Sequence, residues 1–172
     1  KICPASRISE MLLNPGKEFT YNGSKYTYPK VKLIYNAGNN AYSHQQDLNE
    51  LARAIHDVDT IICQDCWWNG SARWADIVLP ATSTMERNDI SSGGTYNIDK
   101  VFAMKQVIAP VGDVLDDFEI FRRLAALLGV EYAFTEGKTQ MDYVKDAYKA
   151  CSASAGTPFE KFAEKDGLVV FF

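Results

Sequence analysis

Apolar residues along this chain recur at two different periods, and the changes of period mark out its elements. ISEMLLN (8–14) predicts a short helix stopped by Pro15-Gly16. EFTYNGSKYTYP (18–29) alternates on both sides of Asn22-Gly23, a pair suited to a type I′ turn. It predicts a surface hairpin in which Phe19, Tyr21, Tyr26 and Tyr28 meet across the strands. Leu33-Ile34-Tyr35 is a short apolar run that predicts a buried strand over 31–35. Leu48, Leu51, Ala52 and Ile55 recur at helical spacing, which predicts a helix from about Gln45 to His56 with one apolar face. DTIICQ (59–64) and ADIVLP (75–80) predict two further strands, the second stopped by its proline. Residues 81–99 carry no apolar periodicity and predict a long polar loop, and VFAMKQVIAP (101–110) predicts a strand after it.

The last third of the chain is helical in pattern. Asp116 or Asp117 caps a helix over about 117–128, with Phe118, Phe121, Leu124, Ala125 and Leu128 inward and Gly129 just past its end. Thr139 starts another helix running to about Cys151, with Met141, Val144, Ala147 and Tyr148 inward. SASAG reads as a linker, and Thr157-Pro158-x-Glu160 repeats the signature of a helix start. The closing LVVFF reads as an exposed β segment that needs cover, which leads one to expect a longer native chain.

Composition narrows this picture. The 172 residues suffice for one domain and hardly for two, and a net charge of −4 gives no nucleic-acid footprint. No apolar run reaches membrane-spanning length, and the opening KICPASRISE has no signal-peptide pattern. Cys63 and Cys66 form a lone C-x-x-C with no second pair, which reads as a buried thiol beside a more exposed one rather than as a metal or dithiol centre.

The candidate chemistry lies in KLIYNAGNNAYSHQQ (32–46). A strand leads into a loop of small and polar residues, Asn36 to Asn40, and Ser43 with Gln46 three residues on is a capping-box pattern. Strand, glycine-containing loop and helix start together predict a site for an anion at the helix N-terminus, although there is neither a GxGxxG nor a Walker lysine. Asp65, at the end of the second strand, is placed either to accept from a ribose hydroxyl or a base N–H, or to cap the turn that follows. Glu86 and Arg87 stand out at the start of the polar loop.

Five segments carry a family resemblance: MLLNPG (11–16), YPKVKLIYNAGNN with HQQDLN (28–49), ARWADIVLPATSTMERNDI (72–90), MKQVIAP (104–110) and DDFEIF (116–121). In this order they resemble the molybdopterin oxidoreductases, and more narrowly the dimethyl sulfoxide/trimethylamine N-oxide reductase branch. The resemblance weakens after about residue 130, although FTEGKT (134–139) also looks like that branch.

The resemblance implies an open, mainly parallel, Rossmann-like α/β sheet with flanking helices and a hairpin ornament. It implies one cofactor-binding domain over 1–172: a helix-and-hairpin extension at 1–30, a core at 31–129 and a C-terminal helical extension at 130–172. The stretch would be an internal piece of a longer enzyme that carries molybdenum on two molybdopterin guanine dinucleotides. In such an enzyme this domain cradles the guanosine diphosphate part of one dinucleotide. It would contribute no catalytic residue and no metal ligand, and by itself it would be inactive and without cofactor. Gly38, Asn39, Asn40, Ser43 and His44 match the family's first-strand loop, with Ser43 standing where an imidazole is usual. Asp65 matches an acid near the guanine or ribose, Arg87 a basic residue that faces phosphates, and Asp116 or Asp117 an acid that reads the guanine edge. The partners implied are the remaining domains of the same enzyme and a cytochrome-type electron donor. The location implied is the periplasm, and the setting anaerobic respiration.

Overall fold

The computed structural model describes residues 3–93, 100–151, 156–164 and 168–170. The linker SASAG, residues 94–99 of the polar loop and the final two phenylalanines fall largely or wholly outside the described residues. The chain divides into two compact units, Lys1–Pro80 and Ala81–Phe172.

The first unit holds a three-stranded parallel sheet in the order β3-β4-β5, formed by Leu33–Ala37, Thr60–Asp65 and Ile77–Pro80. The central strand β4 carries the fully buried Cys63 and Gln64. The first strand, β3, lies at the sheet's edge in this order; Leu33 is 52% exposed and Ile34 and Tyr35 are half-buried, so the expectation of a buried strand over 31–35 fails. Gln64 escapes the cost of an unpaired buried amide because its Oε1 accepts from the Tyr35 hydroxyl at 2.6 Å.

Helix α1 (Ile8–Leu13) packs on α3 (Leu48–Ile55), and with Ile34 and Val58 they close a core around Leu51, Ile55 and Ile61. The inward residues of α3 are Leu51, Ala54 and Ile55; Leu48, expected on the buried face, is 40% exposed. The hairpin of β1 (Glu18–Tyr21) and β2 (Ser24–Thr27) turns through Asn22 and Gly23, both at positive φ, as a type I′ turn requires. Phe19 stacks on Tyr28 at 4.2 Å and both are buried, while Tyr21 faces outward.

In the second unit an antiparallel sheet pairs β6 (Asp89–Gly93) with β7 (Lys100–Met104) and β7 with β8 (Leu168–Val170). Two expectations are corrected here. Part of the polar loop is a strand, because backbone pairing with β7 substitutes for the missing apolar alternation. The predicted strand over 101–110 stops at Met104, beyond which Val107 and Ile108 both donate their amides to the Met85 carbonyl. The terminal β segment has a partner in β7.

Helix α5 (Asp117–Leu127) buries Ile120 and Ala125, whereas Leu124 and Leu128, expected inward, are exposed. A short α6 (Glu131–Thr135) follows Gly129, which takes φ +73° as the residue beyond a helix end. Helix α7 (Gln140–Lys149) opens with a full capping box between Thr139 and Asp142. Its Val144 and Tyr148 point inward, while Ala147, expected beside them, is exposed. Tyr148 stacks on Phe162 of α8 (Phe159–Glu164) at 4.4 Å, and with Val101 they form the second core.

Candidate functional site

The loop after β3 does not lead into a long helix. Asn40 starts α2, a single turn over Ala41–His44, and the chain is extended again at Gln45. The longer α3 is capped by Asp47, whose Oδ1 accepts from the Glu50 amide at 2.9 Å. Ser43 is therefore not the cap. Its hydroxyl donates to the Asn40 carbonyl at 3.2 Å and lies 3.1 Å from Nδ1 of His44. Asp47 wins because it precedes a continuous apolar face and faces an acid three residues on. One helical turn has too few aligned peptides for an anion site of the expected kind, so the helix-dipole argument falls away.

What remains of this loop is a built structure. Gly38 sits at φ +60° and donates its amide to the Gln64 carbonyl at 2.8 Å, which ties the loop to β4. Gly38 and Asn39 are exposed. The Asn40 side chain points into the unit, where its Oδ1 accepts from both the amide and the hydroxyl of Ser71 at 3.2 Å. His44 places Nδ1 2.8 Å from the Asn40 carbonyl, and its ring is exposed. Ser71, only 3% exposed, was invisible to pattern reading because a serine between Gly70 and Ala72 carries no periodic signal.

Asp65 ends β4 and uses both carboxylate oxygens on the turn that follows. Oδ1 accepts from the Trp67 amide at 2.9 Å, and Oδ2 from the Asn69 side chain at 2.8 Å. Asn69 in turn caps α4 (Gly70–Trp74) by accepting from the Ala72 amide at 3.0 Å. Of the two readings left open for Asp65, the turn cap is what the geometry displays. Burial pushes the neighbouring Cys63 thiol above its ordinary pKa, and the Asp65 charge adds to that.

The remaining candidates, Arg87, Asp116 and Asp117, lie in the second unit. Asp116 is the cap of α5, its Oδ1 accepting from the Glu119 amide at 2.9 Å. Asp117 holds an ion pair with Arg87 at 3.4 Å, and its side chain is 48% exposed. Arg87 also donates to the Thr82 carbonyl at 2.7 Å and lies 3.4 Å from Oδ2 of Asp89. These residues are brought together by a parallel bridge between Ala81 and Leu115, which Thr82 extends by donating its amide to the Leu115 carbonyl. A groove of about 290 Å³ opens beside the pair, with Phe118, Gln140 and Tyr143 in its walls.

Glu86, beside Arg87, anchors the start of the polar loop. It accepts from the Ser83 amide and hydroxyl and from the Val111 amide, each at 2.8 Å. The Ser83 and Val111 donors hold its carboxyl below the usual range. Among the described residues no group of three or more His, Cys, Asp or Glu side chains is disposed to hold a metal ion, and no helix is long and apolar enough to cross a membrane.

A family model described as Molybdopterin oxidoreductase matches residues 7–127, more than half of the chain. The trimethylamine-N-oxide reductase of Haemophilus influenzae is 44% identical over 152 residues, which cover 88% of this chain and 18% of that protein. A dimethyl sulfoxide/trimethylamine N-oxide reductase of Cereibacter sphaeroides is 46% identical over the same shares. The chain thus spans about a fifth of the length of these relatives. The solved acetylene hydratase of Pelobacter acetylenicus superposes with a TM-score of 0.63 over 84% of this chain and 19% of that one, at 21% identity, a likeness of fold.

Proposed function

Because the chain belongs to the molybdopterin oxidoreductase family, we propose that it is part of a molybdenum-dependent S-oxide or N-oxide reductase and holds the guanosine diphosphate part of one molybdopterin guanine dinucleotide. The observation that carries this reading is the 44% and 46% identity to reductases of those oxides across 88% of the chain. When bound, the molybdenum centre supplies the redox and oxygen-atom chemistry of the enzyme. The residues described here bind and orient.

The donor set fits the nucleotide end of such a cofactor. Guanine presents two N–H donors side by side, at N1 and at the exocyclic amine, and a carboxylate is the group that accepts both. Asp117 is the carboxylate for that edge: Asp116 is spent on the α5 cap, while Asp117 is half-exposed beside the groove. In the first unit, Gly38, Asn39 and His44 are exposed at the carboxyl end of β3, and Asp65 stands at the carboxyl end of β4. Ligands of parallel sheets bind at those ends. A periplasmic location, a cytochrome-type electron donor and packing against further domains of a longer polypeptide belong to the same reading.

The test is base selectivity. Calorimetric titration of the chain is expected to show binding of GDP in preference to xanthosine diphosphate. Asp117→Asn should invert that order, since an amide offers one acceptor to N1–H and one donor to the 2-keto oxygen of xanthine. Asp116→Asn should not invert it. GDP binding unchanged by Asp117→Asn would end the guanine reading. Immunocapture from source cells of a longer polypeptide without molybdenum would end the reductase reading.

A further inference from the structure

Residues 86–89 divide by parity. Glu86 and Asn88 face one way and bind the 106–111 segment: Glu86 takes the Val111 amide at 2.8 Å and Asn88 the Gln106 amide at 3.0 Å. Arg87 and Asp89 pair with each other at 3.4 Å. The backbone that carries Arg87 is thus clamped on both sides, and its side chain, only 20% exposed, has little room to swing.

The guanidinium is already well supplied with acceptors. Thr82 offers its carbonyl, and Asp89 and Asp117 each offer a carboxylate oxygen at 3.4 Å. The carboxylates of Asp89 and Asp117 beside the guanidinium oppose the approach of a diphosphate. An arginine that binds phosphate needs its fork open to the ligand. Here Nε and one terminal nitrogen are already engaged within the unit, by Asp89 and by Thr82 with Asp117.

We propose that Arg87 is a positioning residue for guanine recognition, holding the Asp117 carboxylate in place for the base, and that it does not contact the phosphates. This role departs from the phosphate-facing one that the resemblance implies for Arg87, and it rests on the assignment of Asp117 to the guanine edge.

Ligands that differ only in phosphate or only in the exocyclic amine separate the roles. The chain and its Arg87→Gln and Arg87→Lys variants would be titrated calorimetrically with guanosine, inosine and GDP. Inosine lacks the amine that Asp117 would read. If Arg87 positions Asp117, Arg87→Gln weakens guanosine and GDP by the same factor, on the order of tenfold for a lost charge-assisted contact, and erases the preference for guanosine over inosine. Arg87→Lys, which keeps the charge but loses the fork, loses that preference too. If Arg87→Gln weakens GDP and spares guanosine, or Arg87→Lys retains both GDP affinity and guanosine preference, Arg87 serves the phosphates and the inference is overturned with Asp117's role intact. No effect of either variant overturns it as well. A parent chain that binds guanosine and inosine equally removes the Asp117 assignment and this inference together.

Discussion

Asn40 and Ser71, thirty-one positions apart, meet through a single atom: Oδ1 of Asn40 accepts from the Ser71 amide and from the Ser71 hydroxyl, each at 3.2 Å. The contact joins the loop after β3 to the start of α4. The Ser71 hydroxyl also takes the Tyr42 amide at 3.2 Å, so the loop, α2 and α4 share one small polar core.

Asn40→Ala leaves two donors of a buried serine without their acceptor. It should destabilise the first unit by about 1–3 kcal/mol, read as a shift of the urea midpoint. Asn40→Asp keeps an acceptor oxygen and should lose clearly less. Equal losses in the two variants would show that the shared acceptor is not what matters.

Asp65 uses both oxygens on the turn, so Asp65→Asn sets an amide NH2 against either the Trp67 amide or the Asn69 side chain. A loss of about 1 kcal/mol is expected from the missing bond. All three tryptophans lie at 67–74, so tryptophan fluorescence, excited beyond the tyrosine band, reads this segment. Its emission should shift, and acrylamide quenching should change. In the reductase proposed above the same substitution should lower molybdenum content; full retention would leave Asp65 a turn cap and nothing more.

Glu119 bridges Arg122 and Arg123 on α5, and Arg122 reaches on to Glu131 of α6. Chiefly through Arg122, its carboxyl is held down at about 2, against an ordinary value of 4.5. A depressed carboxylate stabilises the folded state above its unfolded pKa and ceases to do so as it is protonated in both states. The gap in melting temperature between the parent and Glu119→Gln should therefore be constant above about pH 5 and close as the pH falls from 4.5 toward about 2. A gap that persists at pH 2 would show that packing, not charge, holds this joint.

Cys63 is fully buried and Cys66 exposed, and burial raises the Cys63 thiol further from its reactive form. Maleimide should label Cys66 in the folded chain and Cys63 only after unfolding. Joint, rapid labelling of both would restore the C-x-x-C as a dithiol candidate.

Local signals reached the elements whose cause is local. The type I′ turn at Asn22-Gly23 and the helix start at Thr139 each depend on residues within three or four positions, and both stand as read. The three parallel strands form on the short apolar runs that predict them, with β3 displaced from the expected 31–35 to Leu33–Ala37. Two capping patterns overlap before α3, at Ser43 and at Asp47, and only the break at Gln45 decides for Asp47.

By itself, then, the sequence determined an α/β chain with a hairpin, the succession of β3, α3, β4, β5, α5 and α7, and its family, since these rest on period, turn chemistry and motif order. The tertiary structure decided the rest. It divided the chain at Pro80, paired β6 with β7 where no alternation announced a strand, and left Leu124 and Leu128 of α5 exposed. It also told the two aspartates apart, spending Asp116 on a helix cap and setting Asp117 against Arg87. The physical reason is that a hydrogen bond or ion pair between residues tens of positions apart leaves no trace in spacing. Which polar group meets which is settled when the backbone closes, as it does where Ala81 bridges to Leu115 and brings Thr82, Arg87 and Asp117 together.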